Sequence, residues 1–397
     1  MPALLSIEEA LARVLARVRP LGPEAVSVAA AAGRFAAGDV TARVDLPPFA
    51  ASAMDGYALR SAETPGSLPV VFRVAAGRPA ERALRSGEAM AIATGGAVPE
   101  GADAVVPLEV VVEHDNNITV PAPVDPGANV RPAGGDVRAG DVLLPAGSRL
   151  GVAQLGALAA VGIAEVTVGR RPRVAVLSTG TELRPPGETL GPGQIYESNA
   201  PMLAAAFAAA GAEVERLGPV ADDEEEHRAA LAHGLAADVL VSSGGVSVGP
   251  HDLVRRILHE LGVVEDFWGV AVRPGKPLAF GARGDTLVFG LPGNPVSALV
   301  AVELFVRPAL LALQGAVDPG PAYELARLAS PLRRNPARAE LARARTTRGE
   351  EGTLLEPASG QESHMIARAA AADALVLVPP GEGELAPGAS VRYLRLA

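Results

Sequence analysis

The chain has 397 residues, a formal net charge of −10 and no cysteine, which excludes disulfides, thiol catalysis and cysteine-ligated metals. Hydrophobic residues make up 49% and aromatics only 3%, so large cores can form, and nothing resembles an aromatic-and-basic nucleic-acid surface. The acidic balance disfavours a polyanion as general partner and leaves room for a small anion held in a local positive pocket.

At ~150 residues per domain the length predicts two to four domains. Met1–Glu9 carries two acids and no basic stretch, so no signal peptide is expected. No run of ~20 apolar residues is evident, so no membrane span is expected either. A reducing, cytoplasmic location fits the lack of cysteine.

Ser6-Ile7-Glu8-Glu9 reads as a capping box, and Ile7, Leu11, Val14, Leu15 and Val18 then recur at helical spacing. From about Pro47 to Val137 short valine-rich runs alternate with Gly/Pro turns, which predicts a small β domain. Val152–Val161 predicts a second helix, and Gly169-Arg170-Arg171-Pro172 a linker. Strands at Arg173–Leu177, Glu213–Leu217, Val239–Ser242, Val270–Val272, Leu278–Phe280 and Leu287–Phe289 then alternate with helices. The helices are Ala200–Ala210, Asp222–Leu235, Asp252–Leu261 and Pro295–Gln314. Such alternation predicts an α/β domain with a mostly parallel sheet. Past Asp318-Pro319-Gly320-Pro321 the texture turns β again, ending in Ala374–Val378 and Val391–Leu396.

One of the 35 lysines and arginines is a lysine, Lys276, in the turn Arg273-Pro274-Gly275-Lys276-Pro277. Where arginine serves at every other basic position, a surviving lysine points to a site needing a compact ammonium on a slim stem. The alternative is an inert charge on a surface turn.

Open α/β sheets bind ligands beyond the carboxyl ends of their strands. Three such ends run into polar, glycine-rich loops: Ser178–Glu182, Ser242–Gly249 with Asp252, and Gly290–Pro295. Glycine lets backbone N–H groups converge on an anion at a helix start. One such loop alone is only a tight turn; three on one side predict a shared pocket. Neither a P-loop nor a G-x-G-x-x-G fingerprint is present, since Pro277 follows the only lysine. Gly245-Val246-Ser247-Val248-Gly249 fits the G-x-S-x-G of serine hydrolases, but Pro250 delays the helix and no oxyanion segment of the HGGG type is visible. None of the six histidines has zinc spacing, and most read as surface residues. A metal would be a hard, oxygen-bound ion such as Mg²⁺, with Glu182 and Asp222 as candidate ligands, although Asp222 equally suits a helix cap. In the second domain Ser52–Tyr57, Ala93–Ala97 and Gly134–Asp136 are compact polar islands, each alone no more than a turn.

Together these strings closely resemble the molybdopterin molybdenumtransferase (molybdenum insertase) family, which includes the E domain of gephyrin. The matching segments are Pro48-Phe49 with Ser52–Tyr57, Thr94-Gly95 with Val98–Asp103, Ser178–Gly180 with Glu182-Leu183, and Gln194–Asn199. Ser242–Gly249 with Asp252, Arg273–Pro277, Gly290–Ala298 and Glu362–Met365 complete the set. The resemblance implies an elongated, multidomain α/β chain of four domains. Domain I would be 1–46 plus 139–170, domain II (β-rich) 47–138, domain III (α/β, like the adenylyltransferase) 171–318, and domain IV (β-barrel-like) 319–397.

The resemblance also implies a homodimer, adenylylated molybdopterin and molybdate as substrates, Mg²⁺ as cofactor, and release of AMP as molybdenum is inserted. Partners would be the molybdopterin adenylyltransferase and cofactor-accepting enzymes, with no nucleic acid and no membrane. Carried over by position, Ser242, Gly244, Gly245, Val246, Ser247 and Gly249 hold phosphate or pterin groups, with Asp252 at the nucleotide end and Pro292, Asn294 and Pro295 beside them. Lys276, Arg273 and Ser363 grip the oxyanion, Arg338 adds a charge, and Glu182 and Asp222 hold Mg²⁺. Asp55, Thr94 and Asp136 reach in from the partner subunit. Three positions depart from the family pattern: Ala50 stands where aspartate is frequent, Gly269 follows Trp268 where some members carry lysine, and Arg273 replaces a lysine. The alternatives are the related adenylyltransferase, a serine hydrolase using 245–249, and a non-enzymatic scaffold. The flanking segments at Ser52–Tyr57 and Thr94–Asp103 argue against the first.

Overall fold

A computed structural model describes residues 4–220, 223–245, 253–349 and 352–396. The chain folds as two compact units. Helix α1 (Ile7–Arg17) opens the first unit with the expected capping box. Ser6 Oγ accepts from the Glu9 amide at 3.1 Å, and Glu9 Oε2 accepts from the Ser6 amide at 2.8 Å.

The second unit, Ala25–Ala32 with Gly38–Thr167, holds the small β domain. Its strands are β1 (Gly56–Leu59), β2 (Gly66–Val74), β3 (Ala89–Ile92), β4 (Ala104–Pro107), β5 (Val112–His114) and β6 (Asn117–Val120). They form one sheet in the order β4-β1-β3-β2-β6-β5, antiparallel except between β2 and β3. Alternate residues face opposite cores: Tyr57 and Leu59 on one side, Ala58 and Met90 on the other. Gly56 has no alternative, because a Cβ there would lie 2.0 Å from the Val106 carbonyl oxygen. Helix α2 (Val152–Ala160) lies in the same unit.

The rest of the first unit begins with a six-stranded sheet. In chain order come β7 (Arg173–Thr179), α3 (Asn199–Ala209), β8 (Glu213–Val220), α4 (Glu224–Gly234), β9 (Val239–Ser243) and α5 (Leu253–Glu260). Then follow β10 (Val264–Trp268), the short β11 (Val272–Arg273), β12 (Ala279–Arg283), β13 (Thr286–Leu291) and the long helix α6 (Pro295–Leu313). The sheet order is β8-β7-β9-β13-β12-β10; β8, β7, β9 and β13 run parallel, and β12 and β10 antiparallel to their neighbours.

Strand alternation decides which helix lies where. Val174, Val176, Val239 and Val241 pack with α3 and α6, while Ala175, Leu177 and Leu240 pack with α4 and α5. The strand expected at Val270–Val272 is instead Val272–Arg273, because the Val270 and Ala271 amides bond to the Lys276 and Leu5 carbonyls, and two further details differ from the sequence reading. The strand Val264–Trp268 was not foreseen, since Glu265 and Asp266 interrupt its apolar run. Helix α4 starts at Glu224 and is capped by Asp223, whose Oδ1 accepts from the Glu226 amide at 2.9 Å. Helix α6 is apolar enough to pass as a membrane span by length and composition, but 78% of that window is buried inside the molecule, as befits a core helix.

The unit closes with β14 (Tyr323–Leu328), β15 (Ala339–Gly349), β16 (Gly352–Pro357), β17 (Ala374–Val378) and β18 (Ser390–Arg395). The ladder runs β15-β16-β14-β18-β17 and returns to β15, so it is a closed barrel without free edges. Strand β11 joins it by pairing in parallel with β15, Val272 opposite Ala339 and Arg273 opposite Glu340.

Candidate functional site

In the first unit the polar loops gather at the carboxyl ends of β7, β9 and β13, and a latch from one segment ties those ends together. Buried Glu197 accepts from Ser178 Oγ at 3.0 Å and from the Ala200 amide at 2.8 Å. Two residues on, Asn199 Nδ2 donates to Ser243 Oγ and to the Gly293 carbonyl, both at 2.7 Å. Glu197 and Asn199 stand out in the sequence only by family resemblance and not by role, because Asn199 finds its partners 44 and 94 positions away and Glu197 finds Ser178 at 19.

Ser242 is buried at the end of β9 and its Oγ has no hydrogen-bond partner among the described residues. Gly244 (φ +93°) and Gly245 (φ +63°) follow in the left-handed region. A Cβ on Gly244 would lie 2.9 Å from Thr179 Oγ1, and one on Gly245 would lie 2.5 Å from Val254 Cγ2. The glycines are therefore demanded by packing as well as by φ. Val246, Ser247, Gly249, Asp252 and Asp222 lie outside the described residues.

The start of α6 collects the other loops. A Cβ on Gly293 would come 3.9 Å from Gly244 Cα, so the Gly290–Pro295 loop abuts the glycine pair. Asn294 is the N-cap residue and Pro295 occupies the first turn; Pro292, just before, is buried. Asn294 leaves its cap role to the backbone and donates from Nδ2 to Ser363 Oγ at 2.8 Å. The Val296 amide donates to the Ser363 carbonyl at 3.2 Å.

The Lys276 turn reaches the same helix start: a Cβ on Gly275 (φ +112°) would lie 3.5 Å from the Ser297 carbonyl oxygen. Lys276 is half-buried, its carbonyl accepting from the Val270 and Leu278 amides at 3.1 and 3.0 Å. Its ammonium makes no ion pair among the described residues. Arg273 is exposed, with Nη1 3.7 Å from Glu340 Oε2. Burial pushes the Glu340 carboxyl up from its ordinary value, and Arg273 and then Arg338 pull it back. Half-buried Arg338 thus stands near this pair, its amide donating to Asn335 Oδ1 at 3.0 Å.

Sequence reasoning missed Arg343, which heads the large, fully buried side chains among the described residues. Its guanidinium collars the loop that carries Ser363. Nη1 donates to the Met365 carbonyl at 3.0 Å, Nη2 to the Gly360 and Glu362 carbonyls at 2.7 and 3.2 Å, and Nε to Gln361 Oε1 at 3.4 Å. Gln361 returns a bond from Nε2 to the Arg343 carbonyl at 2.9 Å. Burial pulls the Arg343 pKa down, against the opposing charge of Glu362. The available signal was an arginine at a core position inside the alternating run Leu341-Ala342-Arg343-Ala344.

Glu182 is exposed, its carboxylate turned back over Gly180, where a Cβ would lie 2.6 Å from Oε2. Among the described residues no three His, Cys, Asp or Glu side chains cluster as a metal site. His227 departs from the surface expectation: it is buried on α4, and its Nδ1 lies 2.8 Å from the Asp223 carbonyl.

In the second unit the polar islands meet in part. Asp55, in the bend before β1, accepts on Oδ1 from the Thr94 amide at 2.7 Å and from Thr94 Oγ1 at 3.1 Å. Ser52 Oγ donates to the Met54 carbonyl at 2.6 Å and shapes that bend. Asp136 is exposed on a turn held by its amide to the Leu46 carbonyl at 2.9 Å.

Comparison with known proteins covers this whole arrangement. Residues 5–162 match the family model of the MoeA N-terminal region (domain I and II), 175–312 that of the probable molybdopterin binding domain, and 325–396 that of the MoeA C-terminal region (domain IV). The chain is 37% identical to molybdopterin molybdenumtransferase 2 of Mycobacterium tuberculosis, over 98% of each protein. The chain belongs to the molybdopterin molybdenumtransferase family. It is also 40% identical to the Haemophilus influenzae molybdopterin molybdenumtransferase, over 79% of this chain and 78% of that one. A molybdopterin biosynthesis moeA protein structure from Pyrococcus horikoshii superposes with a TM-score of 0.86 at 28% identity, covering 99% of this chain and 100% of that one. Another structure from the same organism gives a TM-score of 0.81 at 35% identity, covering 99% of each chain. The mixed α/β multidomain fold expected from sequence is the fold of this family. Two of the matched regions lie outside the molybdopterin-binding part, so adenylyl transfer alone is the less supported activity.

Proposed function

We propose that the chain inserts molybdenum from molybdate into the dithiolene of adenylylated molybdopterin, with release of AMP. The carrying observation is that Lys276, the only lysine and without an ion-pair partner among the described residues, lies by the same helix start as Ser363. A tetrahedral dianion needs fixed positive charge and donors converging on one point. Lys276 and Arg273 supply charge, Ser363 a hydroxyl, and the start of α6 the positive end of a helix dipole.

The glycine pair after Ser242 frees backbone to approach phosphate or pterin groups, with Pro292, Asn294 and Pro295 beside it. Arg343 fixes the position of Ser363 and is a positioning residue. Mg²⁺ belongs to the same proposal: an exposed carboxylate such as Glu182 suits a hard, oxygen-bound ion, with Asp222 as its companion. When bound, such an ion offsets charge that develops on the cleaved anhydride. A four-domain division, a homodimer in which Asp55, Thr94 and Asp136 serve the second copy's site, and a cytoplasmic location with adenylyltransferase and cofactor-accepting partners complete the reading.

Purified protein incubated with adenylylated molybdopterin, Mg²⁺ and molybdate should release AMP in a molybdate-dependent way. AMP release that is absent, or equally fast without molybdate, defeats the proposal.

A further inference from the structure

We propose that Glu340 is the resting counterion of the oxyanion pocket: it occupies Arg273 when no ligand is present and must yield when an anion binds. The inference rests on the reading of Arg273 and Lys276 as oxyanion ligands and adds a residue that works against binding. Arg273 and Glu340 stand directly opposite each other on the parallel pair β11 and β15, so their side chains share a face. The guanidinium and carboxylate are 3.7 Å apart at Nη1 and Oε2, and the carboxylate side is much the more buried, 12% exposed against 51%.

This asymmetry has a consequence. A half-buried carboxylate is costly without a partner, so Glu340 holds Arg273 at the junction of sheet and barrel. The same carboxylate repels any anion that approaches Arg273, at a range where salt screens little. Lys276 has no such counterion among the described residues. An anion that touches only Arg273 therefore trades one partner for another and gains little. One that also engages Lys276 and the Ser363 hydroxyl gains enough to displace the carboxylate. Glu340 thus acts as a built-in competitor that raises selectivity at the expense of affinity, as repulsive elements do in other specific sites.

The test is isothermal titration of the full-length protein with molybdate alone at fixed ionic strength. Glu340→Gln should tighten molybdate binding by about five- to tenfold, the effect expected when a nearby like charge is removed. Glu340→Asp, which keeps the charge, should leave the affinity within about twofold of the parent on the same ground. In an Arg273→Ala background, Glu340→Gln should tighten binding clearly less, because only the through-space repulsion and no longer the competition for Arg273 is removed. Unchanged or weaker binding in Glu340→Gln, equal tightening in Glu340→Asp, or tightening that is undiminished without Arg273 would each overturn the inference. Lys276→Ala separates the two ideas. If Lys276→Ala loses molybdate binding but Glu340→Gln does not tighten it, only the counterion role fails. If Lys276→Ala binds as the parent does, the pocket reading fails as well.

Discussion

Replacing Arg343 by methionine should unfold the collar around the Ser363 loop while keeping most of the side-chain volume. The guanidinium satisfies the carbonyls of Gly360, Glu362 and Met365 and the Gln361 side-chain oxygen. Methionine removes all four bonds and leaves the Gly360 carbonyl without a donor, while the Glu362 and Met365 carbonyls keep the Met365 and Ala369 amides and Gln361 Oε1 keeps the Arg343 amide. One unpaired acceptor costs about 1–3 kcal/mol and the other lost bonds to a charged donor add to it, but relaxation and water entry recover part, so a total of about 3–5 kcal/mol is expected. Releasing a buried, unneutralised charge offsets some of it, which favours the lower end of that range. Urea unfolding followed by near-ultraviolet signal and by proteolysis of the barrel would measure the loss. The functional result should be selective: KM for molybdate rises, because Ser363 is no longer held, while affinity for the nucleotide half is unchanged. Arg343→Lys should recover little, since three donors on a compact ammonium cannot span a collar built for a planar fork. A variant within about 0.5 kcal/mol of the parent, the range of ordinary surface substitutions, would refute the reasoning.

Lys276→Arg tests whether compact shape matters: molybdate-dependent AMP release should fall at least about tenfold at low molybdate, and parental activity would mean that any cation suffices there. Gly56→Ala should destabilise the small β domain by more than about 2 kcal/mol in a thermal or urea melt, because its Cβ would meet the Val106 carbonyl on the neighbouring strand. Asp373 reports on acid stability. Burial raises its carboxyl pKa, but bonds from Thr346 Oγ1 at 2.5 Å and the Thr346 amide at 2.6 Å prevail and leave it lowered. A lowered folded pKa means stability that is present above the unfolded value, ~3.9, and lost as pH falls through the folded one. Asp373→Asn should accordingly be less stable than the parent at neutral pH, with the gap closing below pH ~4; a gap independent of pH would remove the electrostatic explanation.

The strands, helices and glycine turns were largely legible because their causes are local. The Ser6–Glu9 capping box closes across three residues, and the alternation of Val174, Ala175, Val176 and Leu177 already sorts them between two cores. The charged Val264–Trp268 strand was illegible, because its place is set by pairing with Ala279–Arg283 rather than by its own pattern. Lys276 stood out by composition alone, and Asn294 and Ser363 by family resemblance. That resemblance pointed to Arg338 as an extra charge, and it did not single out Arg343, five residues along the same stretch, which holds the loop.

By itself, the sequence determined the family, the α/β alternation, the turn glycines and a short set of residues able to handle an anion. The family follows from strings matched along nearly the whole chain; the rest follow from residue type and spacing within a few positions, where propensity, capping and alternation act. Only the tertiary structure decided which polar groups meet. Asn199 finds Gly293 94 positions away, Asp55 finds Thr94 at 39, and Arg343 finds Gly360 at 17, through closed ladders and packed helices. The opposition of Arg273 and Glu340 belongs to the same class, being fixed by the register of two strands from different parts of the chain. Hydrogen bonds and ion pairs act over a few ångströms of space, whatever the distance along the chain.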